Sequence, residues 1–251
     1  MPEIKISFLG TGSGSSTNRA HSAMVYDCDD GTKLLIDTSS GNSVARNASK
    51  LGMSVADFDT VLLSHHHPDH MSGLLFVQFS RALNRQDAPP LDVYLTDESL
   101  EWAQKMCVAS HLNIFEVNNE WAKNSDGREV ISWHVVKTDQ KITLGPATTA
   151  SCFAADHISG SVGWKVESGG MPVVFSGKFE GPGPLVHREV LRPPGEIIGL
   201  ISHIVRRYQQ RLTVVQKNLN LLEIHLSEKE GKSATDTKIT LSARPAAAEY
   251  P

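Results

Sequence analysis

The sequence predicts an α/β protein, and three observations carry that reading. The chain has 251 residues, enough for one sizeable domain with a buried core. Strand-like alternations of apolar and polar residues are interleaved with helix-like stretches. A cluster of metal-binding side chains, Ser64-His65-His66-His67-Pro68-Asp69-His70, stands between an apolar run at 61–63 and a helix-like stretch from residue 71.

Taken in order, Ile4, Ile6 and Phe8 alternate with Lys5 and Ser7, which predicts a strand. Gly10 to Gly14 is too glycine-rich to continue it and reads as a tight turn leaving the sheet, or as a phosphate-cradling loop without the P-loop pattern. Residues 23–26 and 33–36 read as strands joined at Asp29-Asp30-Gly31, a hairpin cue. Asp37 ends the second of them and by itself reads as a helix cap or turn acid. A helix over 42–51 is closed by Gly52, and 59–64 is a buried strand that delivers the histidines. Further helices are expected over 71–83 and from Thr96, where Asp97 and Glu98 suit a helix N-terminus. Leu100, Trp102, Met106 and Cys107 on the latter read as core packing. Strands follow at 93–95, 133–136, 141–144, 151–155, 162–166 and 172–176.

The spacing H-x-H-x-D-H has a mechanical meaning. Residues two apart project to one side of an extended segment. His65 and His67 can therefore grip one cation while His66 points away, as a supporting or solvent-facing residue. Pro68 restricts φ and favours a bend, beyond which Asp69 and His70 can hold a second cation or a water. Neutral imidazoles with a carboxylate suit zinc, and also iron or manganese. Downstream, His157 ends a strand and precedes a small-residue loop, Ile158-Ser159-Gly160-Ser161. Alone, such a histidine reads as an ordinary core or surface residue.

The H-x-H-x-D-H motif resembles the signature of the metallo-β-lactamase superfamily. Phe8-Leu9-Gly10-Thr11-Gly12-Ser13-Gly14, Arg19, Ser22 and Leu35-Ile36-Asp37 look like the branch that holds ribonuclease Z and related phosphodiesterases. The likeness covers residues 1–177. It implies an αββα sandwich with a metal site at the sheet edges, and a metal-dependent hydrolase of phosphodiesters using a metal-activated water. In that family pattern His65, His67 and His157 hold the first ion and Asp69 and His70 the second, while Asp37 supports the ligands from behind and the Gly10 to Gly14 loop borders the substrate pocket. Asp69 is also the catalytic proton acceptor. One or two zinc ions are implied, with a small-molecule or nucleic-acid phosphodiester as substrate.

Two features depart from the pattern. The family's returning strand ends in Ser-Gly-Asp, whose Asp bridges two metals, and here the residues are Ser176-Gly177-Lys178. A lysine offers donors and no acceptor, so it cannot replace a bridging carboxylate. That opens an alternative: a catalytically impaired relative that binds metal or a partner. The family's basic, glycine-rich arm is also missing between His70 and His157, which argues against a tRNA substrate. His187, His203 and His225 lie in no matching neighbourhood and receive no role.

Beyond the incomplete hydrolase domain at 1–180, a Pro/Gly-rich linker is expected at 181–195. Apolar residues recurring at three and four predict a long amphipathic helix over 196–226, packed on the body or pairing in a homo-oligomer. A polar tail at 227–251 is expected to be disordered. The net charge of −4 excludes a global basic field for nucleic acid or anionic membrane. Cys28, Cys107 and Cys152 form no C-x-x-C pair, which points to small buried thiols in a reducing compartment. With no apolar stretch of spanning length and no signal-like start, the expectation is a cytoplasmic protein away from membranes.

Overall fold

A computed structural model describes residues 3–85, 88–110, 130–175, 221–227 and 238–244. Strands β1 (Glu3–Gly10), β2 (Ala23–Cys28) and β3 (Lys33–Ile36) form an antiparallel meander. Strands β4 (Thr60–Leu62), β5 (Leu91–Leu95) and β6 (Ile131–Val135) then add to β3 in parallel. Parallel neighbours need crossovers, and these carry helices α1 (Ser43–Lys50), α2 (Pro68–Met71), α3 (Leu74–Asn84) and α4 (Asp97–Ala109). A second, antiparallel sheet holds β7 (Ile142–Thr143), β8 (Thr148–Ala154), β9 (Val162–Ser168) and β10 (Met171–Phe175), in the order β10-β9-β8-β7.

The central strands β2, β3 and β4 of the large sheet are buried on both faces, which is why they read as near-continuous apolar runs. Ile4, Ile6, Phe8, Tyr26, Leu34, Ile36 and Leu62 face the small sheet, where Trp164 and Val166 meet them. The alternate residues, Val25, Leu35, Val61 and Leu63, face the helices through Val44, Leu74, Val77 and Ala103. This is the layered arrangement implied by the resemblance. Helices cover the large sheet and the large sheet packs on the small one. Among the described residues no helix joins the core on the small sheet's side.

Two local expectations change. The helix expected over 71–83 begins at Leu74, after the separate short α2; Gly73 before it lies so close to Thr38 that a Cβ would come within 1.8 Å of the Thr38 carbonyl oxygen. Trp102 is not core. It is 50% exposed, while Cys107 and Ala103 on the same helix are buried. All three cysteines are buried and free, as expected.

The larger correction concerns the C-terminal part. Residues expected to end the long helix form strand β11 (Leu221–Ser227), antiparallel to β1 with Glu3 opposite Ser227 and Phe8 opposite Leu222. Within the tail expected to be disordered, β12 (Lys238–Arg244) pairs with β11. The physical reason is the free edge of β1, whose N–H and C=O groups need partners. The apolar residues Leu222, Ile224 and Leu226 alternate with period two, as do Ile239, Leu241 and Ala243, and this outweighs the helical spacing upstream. The rest of the expected helix, the linker and Lys178 lie outside the described residues. Among the described residues no helix is long and apolar enough to cross a membrane.

Candidate metal centre

The site forms at the C-terminal ends of the parallel strands, where α/β sheets place their ligands. Asp37 follows β3, the segment from Ser64 to His67 follows β4, and Thr96 follows β5. His157 comes from the other sheet, on the loop between β8 and β9. Two hydrogen bonds join the sheets beside it. The Val162 N–H donates to the Ser64 carbonyl at 2.8 Å, and Trp164 Nε1–H donates to the Leu63 carbonyl at 3.1 Å. On the outer side, Thr96 Oγ1 donates to the Gly160 carbonyl at 2.8 Å, tying the start of α4 to the His157 loop.

His65, His67 and His157 converge as expected. His65 Nε2 lies 3.1 Å from His67 Nδ1, and His157 Nε2 lies 2.9 Å from that same nitrogen. All three candidate ligand atoms fall within 4.8 Å of one another. Nitrogens bound tetrahedrally to zinc at about 2.0–2.1 Å sit about 3.3 Å apart, so the spacing fits a small cation with little adjustment. Burial, helped by neighbouring His70, His157 and His67, pushes the His65 imidazole down to about 2. The ring stays neutral, with a lone pair to offer.

The orientation of His65 follows from a buried relay through Asp37, the support that the resemblance implied, and Ser64, which the sequence reading did not include. Asp37 is fully buried. Its Oδ1 accepts the Ser64 N–H at 2.8 Å, and its Oδ2 accepts Ser64 Oγ–H at 2.9 Å. With its proton so used, Ser64 Oγ accepts from His65 Nδ1–H at 2.9 Å, which leaves Nε2 as the lone-pair nitrogen aimed at His67. Outer partners of this kind select the tautomer and orientation of liganding histidines. Ser22 Oγ also donates to Asp37 Oδ2, at 3.3 Å. Ser64 could have been suspected from its place directly before the motif, but nothing local showed that its hydroxyl turns inward.

Asp69 and His70 sit on α2, which starts at Pro68, so the expected bend is a helix start. His70 Nδ1–H donates to Asp37 Oδ2 at 2.6 Å, and its Nε2 lies 3.4 Å from Asp69 Oδ2. Burial pulls the His70 pKa down, but the Asp37 and Asp69 carboxylates more than offset this and hold it up to about 9. The hydrogen bond from His70 in turn holds the Asp69 carboxyl well below the usual carboxylate range. A cation held by this pair would have to displace a proton from His70 Nε2. Gly14, at the tip of the glycine-rich loop, lies against Asp69, where an added Cβ would come within 3.0 Å of Oδ2. The tip of the loop therefore borders the site, the role that the resemblance implied. His66 points away from the cluster and stacks on Trp102, with ring centroids 5.7 Å apart.

Residues 4–178 match the family model described as anti-Pycsar protein Apyc1. Ribonuclease Z of Methanopyrus kandleri is 45% identical over 74 residues, which are 29% of this chain and 25% of that protein, so the match spans a quarter of the curated relative's length. The short form of human tRNase Z superposes with a TM-score of 0.54 at 19% identity, covering 70% of each chain. The metallo-β-lactamase fold protein YhfI from Bacillus subtilis does so with a TM-score of 0.52 at 20% identity, covering 69% of this chain and 61% of that one. The shared layers agree with the αββα fold, and the family match stops at the residue where the sequence pattern breaks. The chain belongs to the anti-Pycsar protein Apyc1 family, in the ribonuclease Z-like branch of the metallo-β-lactamase superfamily.

Proposed function

We propose that the protein is a metal-dependent phosphodiesterase acting on a nucleotide or nucleic-acid phosphodiester. The convergence of His65, His67 and His157 on one point is the observation that carries this reading. Their nitrogens would hold a first ion, with zinc the best match to three imidazoles and iron or manganese also accommodated. An ion there would supply Lewis acidity and lower the pKa of a water toward about 7. The residues do the rest. Asp69 stays ionised and accepts the proton of the attacking water. His70, braced by Asp37, holds Asp69 in place through Nε2. Gly14 of the glycine-rich loop lies against Asp69 and borders the place where a substrate would reach it. Three buried thiols, each pushed up by burial to about 11 or 12, fit a reducing cytoplasm.

The test is hydrolysis of bis(p-nitrophenyl) phosphate with and without added zinc. Cleavage should need the metal. Asp69→Ala should lower the rate by about 10²–10⁴-fold, the usual contribution of a positioned base, while shifting the melting temperature little. Equal losses of rate and stability would make Asp69 a structural acid.

Lys178 favours a second reading, a weakly active or inactive relative that binds metal or a partner. Two neighbouring dications repel each other, and a shared carboxylate offsets that repulsion. Without it, Asp69 and His70 leave the second cation with too few protein ligands for tight retention. Metal analysis after dialysis should therefore find at most one tightly held ion per chain. Two retained ions would mean that another residue bridges them.

A further inference from the structure

Trp102 has no role in the core and none in the histidine cluster, yet it stands directly beside that cluster. It is half exposed on α4, although an indole normally contributes a large buried area. Its ring lies 15° from parallel to that of His66. The His66 ring is in turn 6.2 Å, centroid to centroid, from His67. Trp102 is thus two ring steps from a candidate metal ligand. The His66 Nδ1 is buried and has no hydrogen-bond partner among the described residues, and the ring lies flat against the indole. Lys105 Nζ lies 4.7 Å from the centroid of the Trp102 ring. Its ion pair with Glu101, at 2.6 Å, joins two exposed side chains and holds it weakly. The helix that carries Trp102 and Lys105 is itself fastened to the His157 loop by Thr96 and Gly160. The platform therefore keeps its position relative to the cluster.

We propose that the Trp102–His66 pair is the binding platform for the base of a nucleotide substrate. The proposal rests on the phosphodiesterase reading for its placement of phosphate at the histidine cluster. A flat ring laid on an exposed face of the pair continues the stack. Every base has such a face, so the platform selects for a nucleoside without selecting among bases. Lys105, held only by an exposed pair with Glu101, leaves the indole face to the incoming base. An ester with a small alkyl group in place of the nucleoside cannot use the platform.

The experiment titrates the full chain, in the presence of zinc, with adenosine 5′-monophosphate and separately with inorganic phosphate. Wild type, Trp102→Ala and Trp102→Phe are compared. Trp102→Ala should weaken the nucleotide roughly 5- to 100-fold, the range expected for one base–aromatic stack, and leave inorganic phosphate unchanged. Trp102→Phe should recover most of the loss. The nucleotide, but not phosphate, should quench a part of the tryptophan fluorescence that Trp102→Phe lacks. Equal nucleotide affinity in wild type and Trp102→Ala, or no nucleotide binding at all, overturns the platform. Equal affinity in a protein that still cleaves bis(p-nitrophenyl) phosphate removes the platform and leaves the hydrolase reading standing. Selective loss of nucleotide binding in a protein that cleaves no phosphodiester keeps the platform and removes the hydrolase.

Discussion

Asp37→Ala is expected to destabilise the protein by about 3–5 kcal/mol, the cost of leaving a buried charge without its partner. The carboxylate is fully buried and accepts hydrogen bonds from Ser64 N–H, Ser64 Oγ, Ser22 Oγ and His70 Nδ1. Its removal strands all four donors. It also releases Ser64, so His65 loses the contact that selects its tautomer, and zinc affinity should fall by about 10–100-fold. Asp37→Asn separates charge from shape. In the metal-free protein the His70 pKa is about 9, above the ordinary imidazole value of about 6.5. A raised value means that the folded state binds its proton more tightly. The ion pair therefore stabilises fully below about pH 6.5, and its contribution is lost as pH rises through about 9. Urea melts of chelated wild type and Asp37→Asn should differ most near pH 6 and converge near pH 9.5. A constant difference across that window would show that His70 is not the linked group.

His157→Ala should weaken zinc binding by more than about 100-fold, beyond what loss of an outer partner costs, as read by competition with a chromophoric chelator. Two imidazoles remain, and two protein nitrogens rarely retain zinc against dialysis. The result would be specific to the cluster if His66→Ala, whose ring stacks outside it, holds zinc within a few-fold of wild type. A His157→Ala protein that retains its metal would remove His157 from the ligand set. Its proximity to His67 would then be packing between two sheets.

The reach of local sequence is visible element by element. The alternation of Ile4, Ile6 and Phe8, the Asp-Gly hairpin and the apolar runs into Asp37 and Ser64 are periodic features of a few residues. Backbone geometry converts such features directly into strands. The H-x-H-x-D-H spacing belongs to the same class, since two histidines two apart share a side wherever the segment is extended. The convergence of His157 with them was legible only through resemblance to a known family. The contact spans 90 residues and two sheets, and no local pattern encodes it. Three further features were decided by the tertiary structure alone. Ser64 became a relay because Asp37 arrives beneath it from β3. Trp102 was left half exposed because Ala103 and Cys107, not the indole, face the sheet from α4. Residues 221–227 became a strand because β1 presents an unpaired edge, and a row of backbone donors and acceptors outweighs a helical spacing of side chains. Propensity and periodicity are properties of a segment. Partner choice depends on which surfaces the rest of the chain leaves unfilled.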